Sequence, residues 1–128
     1  MNAENVPNHK EAAVSFLKTV GAGQIREAYN RFVSPNFRHH NAYFRGDRES
    51  LMLGMEANAS QFPGKTLDVK RVLEDRDFVA VHSHVRLKPG DLGVALVHIF
   101  RFENDKIVEA WDVGQPIPSE SSNQYGVF

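Results

Sequence analysis

The chain has 128 residues, with 15 basic and 16 acidic side chains and a formal net charge of -1. That length makes one domain, residues 1–128, able to bury a core without staples, and the balanced charge offers no basic stripe for nucleic acid or for an anionic membrane surface. No cysteine is present, which excludes disulfides, thiol catalysis and thiolate zinc sites and fits a cytoplasmic location, while no apolar run approaches the roughly 18 residues of a membrane span.

Over residues 7–20 the apolar Ala12, Ala13, Phe16, Leu17 and Val20 recur at three- and four-residue steps, and Gly21 and Gly23 follow. This predicts an amphipathic helix with its stop signal. The segment QIREAYNRFV repeats the pattern with Ile25, Ala28, Tyr29 and Phe32 until Ser34-Pro35, because the residue before proline is pushed out of the helical region. After an extended piece, NFRHHNAYF, Asp47 is placed to cap a third helix carrying Leu51, Met52, Met55 and Ala59, closed by Phe62-Pro63-Gly64. Beyond Gly64 the period becomes strand-like in segments 66–74, 78–88, 93–103 and 106–114, separated by EDRD, KPGD and END. Helices first and strands later predict an α+β domain in which an antiparallel sheet curls against helices. The tail PSESSNQYGVF is polar, with Tyr125 and Phe128 as the groups able to dock.

Six histidines are more than structure alone usually requires, and His82, His84 and His98 fall in apolar strand segments. In the hairpin VHIFRFENDKIVEAWDVGQP, the parity of the loop decides which residues share a face. A two-residue loop at Asn104-Asp105 would group His98, Phe100 and Phe102 with Ile107, Glu109 and Trp111, leaving Glu109 among aromatics. A three-residue loop with Asn104 or Asp105 left-handed groups them with Val108, Ala110 and Asp112, and brings Arg101 beside Glu109, worth about 0.2–1 kcal/mol. The charge pairing favours the odd loop. His98 and Asp112 then converge above an apolar floor that includes Phe100. Two readings stay open on the residues alone: a pair able to pass a proton, or a core histidine bonded to a carbonyl and a strand-end carboxylate in water.

Three helices followed by a meander ending in HIFRFENDKIVEAWDVGQPIP resemble the SnoaL-like polyketide cyclase and aldol-condensation family of the NTF2-like superfamily. The hairpin departs from the family pattern at Asp105, where glycine is usual. FRHHNAYFRG is similar to a second family segment, matching at His40, Asn41 and Gly46, and NQYGVF is similar to the family's ending. The resemblance implies an NTF2-like cone: N-terminal helices on a strongly curved sheet around an apolar pocket, usually in a homodimer. It implies a cofactor-independent enzyme, with Asp112 exchanging the proton of an acidic carbon and His98 polarising or protonating a carbonyl oxygen of a polyketide-like substrate. A non-catalytic small-molecule binding protein with the same pocket is the alternative.

Other candidates carry weaker signals. His82 and His84 lie on one face of a strand, an arrangement used in some metal sites, but no carboxylate follows within a few residues; no metal is expected, and the pair either lines the pocket or faces water. His40 and Asn41 either present an imidazole and an amide to the substrate at the cone's mouth or cap their own loop. Tyr29 is a pocket or a core residue, and Trp111, on the face opposite Asp112, reads as a packing or dimer anchor. Gln115 would fold back over the pocket.

Overall fold

The computed structural model describes residues 7–128. The helix α1 (His9–Gly21) starts where the Asn8 side chain accepts from the Glu11 amide at 2.8 Å, one of the four donors a helix start leaves open. The chain leaves it through Gly23, whose φ of +83° suits glycine. Then come α2 (Ile25–Phe32), β1 (Val33–His39), α3 (Arg48–Gln61), β2 (Thr66–Asp75), β3 (Phe78–Arg86), β4 (Val94–Glu103) and β5 (Lys106–Pro116). Asp47 caps α3 as expected, accepting from the Ser50 amide at 2.9 Å.

The sheet has five strands in the order β1-β5-β4-β3-β2, antiparallel except for β1, which runs parallel to β5. The first four residues of the segment read as an extended piece, 36–39, therefore belong to a fifth strand that starts at Val33, the last residue read into the second helix. It escaped a pattern search because its pairing slips between Val33 and Arg38, the stretch that contains Pro35, and proline is tolerated only at such edges and irregularities. One residue each in β2 (Lys70) and β5 (Val108) is skipped by the ladder; such bulges bend a strand and curl the sheet. The helices fill the concave side, with α1 over β2 and β3 and α3 over β1. Phe16 ties the layers together, packing edge-on to Tyr29, Phe32 and Phe100 with ring centroids 5.6, 6.5 and 5.7 Å away.

The last hairpin corrects the odd-loop expectation. Glu103 pairs with Lys106 across a two-residue turn, Asn104-Asp105, with φ of +49° and +64°, the primed geometry that matches strand twist. Phe102 faces Ile107, and both are buried. Past the bulge the register changes: Arg101 pairs with Glu109, Phe100 with Ala110 and His98 with Asp112. The parity change expected of the loop is made by Val108 instead, so Val108 is not the concave neighbour of Phe102.

Candidate functional site

Because His98 and Asp112 are direct cross-strand partners, they share the concave face with Phe100 and Ala110. Together with Tyr29, Asn41 and Phe100 they line a cavity of about 250 Å³ between the sheet and α3. Its walls are mostly aromatic and aliphatic, Phe16, Phe37, Phe44 and Leu96 among them. A wider groove, about 750 Å³, runs along the outer end of α3 beside Val20–Gly23, shares Met55 and Lys65 with the cavity and contains neither His98 nor Asp112; the smaller cavity is the one that brings those two together.

The His98 ring stacks on Phe100 at 5.7 Å, and its Nδ1 is buried with no hydrogen-bond partner among the described residues. Burial pushes its pKa down to about 4; Asp112 opposes that shift and Lys65 adds to it. Desolvation wins over the attraction of the carboxylate, so the imidazole is neutral at pH 7, with one nitrogen donating and the other accepting.

The Asp112 carboxylate accepts from Asn41 Nδ2 at 3.0 Å. The Asn41 amide is oriented by its own loop, since its Oδ1 accepts from the Tyr43 amide at 2.9 Å. That leaves Nδ2 to face the acid. His39 fixes the same loop: its Nδ1 accepts from the Asn41 amide at 3.1 Å, so its Nε2 donates to the Arg45 carbonyl at 2.5 Å. Tyr29 is fully buried and gives its hydroxyl to Met55 Sδ at 3.1 Å; burial raises its pKa.

Four residues singled out from the sequence do not line this cavity. His40 lies on the convex face, where its Nε2 meets Glu109 Oε2 at 2.7 Å and its ring stacks on Trp111 at 5.0 Å; His39, one residue earlier, is the histidine that faces inward. Glu109 is buried there beneath Arg38, His40 and Arg101, which hold its carboxyl down at about 2, with the Arg38 hydrogen bond the largest cause. His82 and His84 alternate with the buried Val81, Ser83 and Val85 and so face the convex side. There Phe128 docks against both rings, at 5.3 and 4.8 Å, and His84 Nε2 bonds to the Leu92 carbonyl. No cluster of three metal-ligating side chains forms around them among the described residues. Gln115 is exposed at the end of β5, and Tyr125 is exposed as well.

The cavity also holds groups that sequence reasoning missed: His39, Phe44, Asn58 and Lys65. Lys65 Nζ donates to Asn58 Oδ1 at 2.8 Å, and burial lowers its pKa. A lysine just beyond a helix end was visible, but which way it turned depended on how α3 leans on the sheet.

Three helices on a curled five-stranded sheet with a pocket at its concave side define an NTF2-like cone. The backbone superposes on IdmH, a candidate polyketide cyclase from Streptomyces antibioticus, with a TM-score of 0.72 at 16% identity over 85% of this chain and 93% of that one. An NTF2-like protein from Cytophaga hutchinsonii gives 0.66 at 17% identity over 83% and 88% of the two chains. AclR, a candidate hydroxylase from Streptomyces galilaeus, gives 0.61 at 23% identity over 80% and 87%. The SnoaL-like domain profile matches residues 13–110, and the chain belongs to that family. No curated protein sequence matches it. No helix is long and apolar enough to cross a membrane among the described residues.

Proposed function

We propose that the protein is a cofactor-independent acid–base enzyme acting on a small carbonyl-bearing, polyketide-like molecule held in the 250 Å³ cavity. One observation carries this reading: His98 and Asp112 face each other across the cavity wall without bonding to one another, so both keep an open valence toward a ligand. Asp112 takes the proton from a carbon next to a carbonyl. The electron pair moves onto the carbonyl oxygen, which accepts a hydrogen bond from the N–H of neutral His98. A neutral donor suits this step, because it stabilises the enolate without being deprotonated by Asp112. The enolate carbon then either attacks a second carbonyl of the same molecule, an aldol ring closure, or regains the proton at another position, an isomerisation. Tyr29 and Phe100 shape the binding surface, and Asn41 keeps the base aimed. Placement accounts for much of the rate.

The protein acts as a homodimer through the convex sheet face in this reading. The support is an apolar surface there: Phe78, Leu73 and Val113 are exposed, on a face shared with Ile99 and Trp111, and such patches mark association sites.

The test is hydrogen exchange at the acidic carbon of β-dicarbonyl and polyketide-like compounds in D₂O, followed by NMR. Wild type should accelerate exchange, and Asp112→Asn should keep binding while losing about 10²–10⁴-fold in rate. Binding by wild type with no exchange across the panel would leave a carrier protein instead of an enzyme.

A further inference from the structure

Among the described residues, Lys65 is the one formally charged side chain in the cavity wall apart from Asp112. It enters from the turn after α3, where its amide bonds to the Phe62 carbonyl, and its Nζ folds back onto the neutral amide oxygen of Asn58. No carboxylate lies within ion-pair distance of Nζ among the described residues. Burial is the cause of its lowered pKa. The electrostatic influence of Lys65 does reach His98. A half-buried ammonium satisfied by one amide is costly to keep. A helix-capping role would leave it in water over the last carbonyls of α3, whereas this lysine borders the apolar hollow on one side and the wider groove on the other.

We infer that Lys65 is a specificity-determining residue and that the preferred ligand is an acid: a carbonyl compound that also carries a carboxylate, bound with that carboxylate at Lys65 and its reactive end at His98 and Asp112. This deepens the reading of the cavity as a site for carbonyl compounds. It explains why one end of an otherwise greasy hollow keeps a cation, and it separates the two charges of the site by function. Lys65 anchors, while Asp112 handles the proton. Esters and amides of the same skeleton lose the anchor.

The experiment uses binding, so its outcome is independent of turnover. The probes are 2-naphthoate and its uncharged methyl ester, titrated calorimetrically into wild type and into Lys65→Met, Lys65→Arg and Asp112→Asn. Wild type should bind the acid about tenfold or more tightly than the ester, a step of about 1.4 kcal/mol. Lys65→Met should bring the two probes to parity while leaving the ester's affinity unchanged, which also shows that the cavity is intact, and Lys65→Arg should keep part of the preference. Asp112→Asn should retain it. An acid that binds no better than its ester in wild type, including no measurable binding of either, or a preference that survives in Lys65→Met, overturns the inference. Loss of C–H exchange with the acid preference intact would sink the enzymatic proposal alone.

Discussion

His98 and Asp112 are paired residue to residue across β4 and β5, yet the carboxylate's partner is Asn41, which reaches it from the loop after β1 at 3.0 Å. The third group is thus an orienting amide brought by a distant segment, and the imidazole is left with an unpartnered nitrogen.

This arrangement separates two neighbouring loop residues. Asn41→Ala should lower kcat about tenfold with little change in KM, because the base is still present but no longer aimed. Substitution of His40, which bonds to Glu109 on the convex face, should leave kcat unchanged. Steady-state kinetics on whichever β-dicarbonyl compound proves active distinguish them, and equal losses in both variants would refute the placement of Asn41 as the orienting group.

The neutral state of His98 has consequences for pH. Its folded pKa, about 4, lies below the value near 6.5 expected for an unfolded histidine. Between those values the unfolded chain binds the extra proton, so this residue's contribution is full above pH 6.5 and is lost as pH falls toward 4. The slope attributable to it is at most about 1.4 kcal/mol per pH unit. Urea titrations should show that slope in wild type and a shallower one in His98→Gln. Activity should also stay level from pH 8 to about 5.5, whereas a cationic His98 acid would lose activity above its pKa.

Glu109 predicts an acid-side effect of the same sign from a different group. Arg38, His40 and Arg101 hold its carboxyl near 2, so the stability it adds is present above the ordinary carboxylate pKa and lost as pH falls through 2. Glu109→Gln should cost about 1–3 kcal/mol at pH 7, read from chemical denaturation, and should leave ligand affinity unaltered. The difference from wild type should shrink at low pH.

Gly54 on α3 is the seat of Phe44. A Cβ there would come within 2.3 Å of Phe44 Cε1, and Phe44, 41% exposed at the cavity wall, is free to swing outward. Gly54→Ala should therefore weaken ligand binding while the loss of packing is offset by helix propensity, about 1 kcal/mol. In a Phe44→Ala background the clash vanishes, and adding Gly54→Ala should then stabilise the protein. A double-mutant cycle by thermal denaturation checks the coupling.

The elements with a regular period were legible in the sequence. The glycine stop of α1 and the Asp47 cap of α3 followed from spacing, and the Arg101–Glu109 pair at 3.0 Å and the shared face of His98 and Asp112 followed from charge, although the odd loop expected to produce them is a bulge at Val108 instead. What did not follow came from irregular backbone. No period describes residues 40–47, so nothing in the sequence said that His39 would turn inward and His40 outward. The slip in β1 hid a strand, and alternation alone could not decide which side of β3 carries His82 and His84 until the buried Val79, Val81 and Ser83 fixed it. Lys65 depended on the tilt of a helix, a tertiary quantity without a local signature.

The turn at Asn104-Asp105 and the supernumerary Val108 together work as a counter. Were Val108 paired with Arg101 instead of skipped, every later residue of β5 would shift one notch, delivering Trp111 to the hollow and Asp112 to the outside, with Glu109 torn from its arginines. Were the turn to take in Lys106 as a third residue at the same time, the original alignment of Glu109, Ala110 and Asp112 would return. Relatives can therefore trade length between loop and strand and still present the same two groups to a ligand, so comparisons of this hairpin should be aligned on the histidine and the aspartate, not on the bend.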